Sequence, residues 1–117
     1  MFNNQTWNQI HKNLKYKSQN SCGHYMLFTK PGNHLNLVKF VRDDIYMADK
    51  KNPEDFELVS KESFENVYNE LVYNRELSHS AAMSHTKEKK WAGALMAVLA
   101  LLSDVSIDDK SGTLKYR

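Results

Sequence analysis

The stretch HYMLFTK-PGN-HLNLVKFVR, His24 to Arg42, decides the fold class. Two runs rich in aromatic and branched residues flank the turn signal Pro31-Gly32-Asn33, a pattern that predicts a β-hairpin. Side chains alternate along a strand. In the second run Leu35, Leu37 and Val41 therefore share one face with Lys39, while Val38 and Phe40 share the other with Asn36. Both faces are partly apolar, so the sheet is expected to be covered on both sides.

N-terminal to the hairpin, Trp7, Ile10 and Leu14 recur at helical spacing, and the Thr6/Gln9 pair reads as a capping box opening a helix that ends near Lys17. Ser18 to Gly23 is turn-like. C-terminal to it, Asp43-Asp44 turns the chain into a third strand over 45–48. DKKNPED (49–55) is a loop, and Phe56 to Val59 is extended and leads to Ser60, a good helix N-cap. Phe64, Val67, Tyr68, Leu71 and Val72 then form the most regular apolar stripe in the chain. HSAAMSH (79–85), small and polar, is expected to interrupt the helical run. Ser84 or Thr86 is the expected cap of an apolar helix containing Trp91 to Leu102 and reaching about Ser103. A membrane span needs about 20 apolar residues, so this shorter run reads as a core helix of a soluble protein. Val105/Ile107 and Leu114/Tyr116 flank a DDKSG turn, a closing hairpin. The expected fold is α+β: a small single domain with an antiparallel sheet (hairpin 24–42 plus C-terminal hairpin 105–116) packed against three helices.

A chain of 117 residues with 41% apolar and 26% charged residues has globular composition. At this length about 65% of the unfolded surface can be buried, enough for one core without staples. A single cysteine, Cys22, allows no internal disulfide, and the N-terminus has no long apolar stretch that would make a signal peptide. A reducing, cytoplasmic location is expected.

The charge is sorted along the chain. Residues 1–42 hold six bases and no acid; residues 43–76 hold ten acids and four bases; residues 77–117 hold six bases and four acids. The net +2 hides a bipolar sequence, and partners respond to local field rather than to the total. Lys outnumbers Arg 13 to 3 and Asn occurs 11 times, residues of AT-rich codons. That bias tilts the reading toward a phage or mobile-element gene, whose product would act in the cytoplasm of the host cell.

Catalytic and metal signatures are weak. Cys22 and His24 would share one face of a strand, but a lone cysteine is more often a small buried hydrophobe. The five histidines show no H-x-x-x-H spacing and no cysteine pair accompanies them, so no metal site is expected. Arg75 and His79, one turn apart if the helix is continuous, are the only acid–base pair that a small ribonuclease or toxin-like enzyme would have to use. Asp104, Asp108 and Asp109 near Gly112 lack the spacing of a calcium loop and are explained by a turn. Phosphate-binding glycine loops are absent, and no cofactor is expected.

Two surfaces remain. The basic first third, Lys12, Lys15, Lys17, Lys30, Lys39 and Arg42, is interleaved with Trp7, Tyr16, Tyr25 and Phe28, the composition of a nucleic-acid-binding surface. Only three arginines occur, which argues against base-specific readout. The acidic stretch offers Tyr46, Glu62, Glu65, Glu70, Tyr73, Arg75 and Glu76 as a protein interface. The expected function is a non-enzymatic, stoichiometric inhibitor or modulator of a larger host or defence enzyme, anti-CRISPR proteins being one such type. Its partner would be basic or nucleic-acid-binding, and the DKKNPED loop and acidic helix would form the contact. The alternative is a nucleic-acid-binding accessory protein that uses the basic first 42 residues, and the second alternative is a small ribonuclease or toxin-like enzyme. Under the first reading only weak, non-specific nucleic-acid binding is expected, and no membrane partner is expected.

Overall fold

The computed structural model describes the backbone of residues 1–17, 25–29 and 34–117, and the side chains of residues 1–15, 36–39 and 41–117. The turns read at Ser18 to Gly23 and at Pro31-Gly32-Asn33 lie outside the described residues, as do Cys22, His24 and Lys30.

Helix α1 (Asn4–Lys17) starts three residues earlier than the capping box implies. Asn3 is the cap: its Oδ1 accepts from the Thr6 backbone N–H at 3.0 Å and the Thr6 hydroxyl at 3.2 Å. Asparagine caps at least as well as threonine, and it lies upstream, so the helix takes the extra turn. Gln9 bonds Asn13 instead of reaching back to Thr6.

Four strands follow in meander order: β1 (Tyr25–Thr29), β2 (His34–Val41), β3 (Asp44–Asp49) and β4 (Glu57–Val59), each antiparallel to the next. The register opposes Val38 to Met47 and Ile45 to Val59. These four side chains are fully buried against Ile10, Leu14, Phe64, Leu71, Leu95 and Leu99. On the opposite face Leu37 and Ala48, paired across β2 and β3, are also buried, while Val41 and Leu58 stand 44% exposed. The second face is thus covered at its centre and open at one end.

Helix α2 (Lys61–Asn74) forms as its stripe requires, burying Phe64, Val67, Tyr68 and Leu71, and Ser60 caps it by accepting from the Ser63 N–H at 3.2 Å. The helical run breaks at Arg75, whose N–H still donates to the Leu71 carbonyl at 2.7 Å while its left-handed backbone (φ 69°) turns the chain that follows out of the helix. This ending is common, but glycine usually supplies it. A short strand β5 (Glu76–Leu77) follows. Residues 79–84 do not interrupt a helix; they are helix α3 (His79–Ser84), capped by Ser78 and helped by Ala81 and Ala82.

Neither Ser84 nor Thr86 caps the apolar helix. The Thr86 hydroxyl donates to the Ala82 carbonyl at 2.7 Å, closing the end of α3. Residues Lys89–Trp91 form one 3₁₀ turn that opens directly into α4 (Ala92–Leu99). The remaining apolar residues continue as turns to Val105. Leu95, Val98 and Leu99 have no solvent exposure and Leu102 is buried.

The closing hairpin is present as β6 (Val105–Ile107) and β7 (Leu114–Tyr116). Rather than extending the first sheet, β7 is flanked by β6 and β5 in a separate three-stranded antiparallel sheet. Among the described residues the architecture is α+β, with four α-helices and two antiparallel sheets around one hydrophobic core. No helix is long and apolar enough to cross a membrane among the described residues.

Candidate functional site

Burial of the Phe64/Leu71 stripe turns the opposite face of α2 to solvent, and the helical period places Glu62, Glu65, Asn66, Asn69 and Tyr73 on it. Tyr73 is 83% exposed, while Glu65 and Glu62 are exposed on the turns before it. A phenol so fully in water is unusual beside the buried aromatics of this chain.

The acids of this face are not equally available. Glu62 Oε2 accepts from Lys87 Nζ at 2.7 Å, and this hydrogen bond is the main reason that the lysine's pKa stands above its ordinary value. Glu70 Oε1 accepts from Asn74 at 2.8 Å, and its Oε2 lies 3.9 Å from His85 Nε2. The segment between α3 and α4 is sewn to the start of α2 by Glu88, which accepts from Ser63 Oγ at 2.7 Å, and by the Lys87 N–H, which donates to Ser63 Oγ at 3.0 Å. A carboxylate there also meets the positive end of the helix dipole.

Arg75 lies at the C-terminal end of α2, where its guanidinium donates to the Arg117 carbonyl at 2.8 Å and sits 5.4 Å from the Tyr116 ring. Glu76 is exposed on β5. Tyr46 is half-buried on the open face of β3, paired with Lys39 and Leu58. The interface candidates thus divide between the outward face and end of α2 and the first sheet.

Of the basic candidates, Lys12 and Lys15 are exposed on α1 and Arg42 is exposed at the two-residue tip between β2 and β3, with φ 60°. Lys39 is half-buried, its ammonium 4.2 Å from the Phe56 ring centroid. Lys17 belongs to α1, but its side chain, like Lys30, lies outside the described residues. Arg75 and His79 are not one turn apart on a helix, because α2 ends at Asn74 with Arg75 as its cap and α3 begins only at His79. Among the described residues no group of three or more His, Cys, Asp or Glu side chains is arranged to hold a metal ion.

A groove that sequence reasoning missed runs between the first sheet and the start of α4. It has two lobes that share Asp49, Lys90 and Trp91. One lobe, about 280 Å³, is completed by Asn36, His79, Gly93 and Ala94. The other, about 370 Å³, is completed by Asn52, Glu54, Asp55 and Phe56 of the loop between β3 and β4 and by Glu57 at the start of β4. Glu57 joins the walls: Oε2 accepts from the Trp91 indole N–H at 2.6 Å, and Oε1 lies 3.8 Å from Lys90 Nζ. The Lys90 ammonium also stands 5.0 Å from the Trp91 ring. The available signal was the acid-rich DKKNPED loop; what the sequence concealed was that Trp91, read as the first residue of a core helix, walls the groove beside that loop.

No protein-family model matches the chain, and comparisons with curated proteins and with solved structures return no match.

Proposed function

We propose that the chain is a stoichiometric protein-binding module that inhibits or modulates a larger partner with a basic contact surface, such as a nucleic-acid-binding host or defence enzyme. The observation that carries this reading is Tyr73, 83% exposed on the outward, acid-bearing face of α2. Interfaces concentrate their energy in a few aromatic or arginine anchors inside a polar rim. Tyrosine suits that role because it brings a large apolar area, a hydroxyl and only two side-chain torsions to freeze. Glu65, Asn66 and Asn69 supply a polar surround, and the folded core leaves Tyr73 nothing structural to do.

The amino-acid bias toward Lys and Asn, residues of AT-rich codons, favours a phage or mobile-element origin, and within that class an anti-defence protein, anti-CRISPR included, is the most specific reading. Its place of action is then the host cytoplasm. The test is capture of a partner from host lysate with tagged chain, identified by mass spectrometry and checked for one-to-one stoichiometry. Tyr73→Ala should lose that partner while leaving the thermal midpoint nearly unchanged, because an exposed side chain contributes little to folding. A partner retained by Tyr73→Ala at wild-type affinity, or a chain that cleaves RNA by itself, would overturn the reading.

A further inference from the structure

We propose that the groove at Trp91 receives an arginine side chain from an extended basic segment of the partner, and that Lys90 is the chain's own stand-in for that cation. The inference rests on the partner being basic, as proposed above, and adds where and how one of its cations is held.

Three features of the groove converge on a cation. Among the described residues its two lobes are lined by four acids, Asp49, Glu54, Asp55 and Glu57, and by Lys90, with the Lys39 ammonium lying over the Phe56 ring of the second lobe. Its shared wall is an aromatic ring, and an indole face attracts a cation electrostatically. Both attractions are already exercised by an ammonium: Lys90 Nζ stands 5.0 Å from the Trp91 ring and 3.8 Å from Glu57 Oε1. The chain itself therefore demonstrates the mode of recognition.

The same geometry makes the stand-in displaceable. The Lys90 side chain is 69% exposed and its ion pair is long, so solvent screens it and the pair is weak. The receiving groups are fixed in contrast. Trp91 is 4% exposed, and its indole N–H holds one Glu57 oxygen at 2.6 Å, so the carboxylate is oriented before any ligand arrives. A guanidinium suits this pair better than an ammonium, because its planar fork can pair with Glu57 while its flat face takes the place over the otherwise buried indole that the Lys90 ammonium now occupies. Once Lys90 swings out, the second lobe has carboxylates at Glu54 and Asp55 for the next cation along a basic segment.

The probe is acetylated tri-arginine amide, compared with tri-lysine and tri-glutamate. Trp91 emission is read in a Trp7→Phe background, since the chain has only these two tryptophans. Calorimetry on the otherwise wild-type chain gives the same comparison if that background does not fold. Tri-arginine should bind saturably, tri-lysine more weakly and tri-glutamate not at all. Lys90→Met, which removes the competing charge but keeps the stem, should tighten tri-arginine about fivefold, and Glu57→Gln should weaken it about fivefold. Absence of saturable binding, or equal affinities in wild type, Lys90→Met and Glu57→Gln, overturns the groove as a cation site. A partner captured through Tyr73 but indifferent to Glu57→Gln overturns the groove alone. Tri-arginine binding with the predicted response, in a chain that captures no partner, overturns the partner reading and leaves the cation site standing.

Discussion

His11 shows how a single side chain of the N-terminal helix acquires a pH dependence. It packs edge-on against Trp7 with ring centroids 4.8 Å apart, and its Nε2 lies 4.0 Å from Asp43 Oδ1, an oxygen that already accepts from the Trp7 indole at 3.0 Å. Burial pushes the imidazole pKa below 6.5, Asp43 pulls it back up, and Lys61 adds to the lowering; burial wins. The folded chain therefore resists a proton that the unfolded chain accepts. That stability is present above pH 6.5 and is lost as pH falls through 6.5 toward the depressed folded value. The thermal midpoint of the wild-type chain should drop between pH 7.5 and 5.5, and His11→Phe should show a smaller drop over the same interval. Equal drops in the two chains would assign the acid sensitivity to other groups.

Among the elements, α4 carries the core. Leu99, with no exposure, sits in one cluster with Phe64, Leu71 and the inner face of the first sheet. Leu99→Ala should cost about 2 to 5 kcal/mol of unfolding free energy in a denaturant titration, from lost transfer energy and the cavity left behind. A loss below about 0.5 kcal/mol would mean the cluster does not hold the fold together. What periodicity encodes was legible beforehand: the α2 stripe, the 24–42 hairpin and the closing hairpin each repeat at their own spacing. What tertiary partners or rare backbone states decide was not. The break at Arg75 depends on a left-handed arginine, which has no sequence signature, and the separate sheet exists because that break frees Glu76 and Leu77 to pair with β7. Thr86 looked like a cap for the helix ahead of it and instead closes the helix behind it.

Across the whole chain, folding partly undoes the sorting of charge by region. Bases of the last third cross to acids of the middle third, Lys87 to Glu62 and Lys90 to Glu57, so the acidic stretch is less anionic in the fold than along the sequence. This is why the acidic helix could be read from the sequence while its usable part could not. Tyr73 and Glu65 stay available, Glu62 is engaged, and the groove at Trp91 depends on contacts between residues more than thirty positions apart. The described bases of the first third are also unequal, since Lys39 is drawn over Phe56 whereas Lys12 and Lys15 remain exposed on α1. A few exposed lysines attract the phosphate backbone without reading bases, so duplex DNA should bind with Kd on the order of 100 μM near physiological salt. The affinity should fall steeply between about 50 and 200 mM salt, with a log–log slope near −0.9 per phosphate contacted. Changing Lys12, Lys15 and Lys17 together to Glu should abolish this binding and leave tri-arginine affinity at the Trp91 groove unreduced. A sub-micromolar complex that survives 200 mM salt would make nucleic acid, not a basic protein, the ligand that this molecule is built to hold.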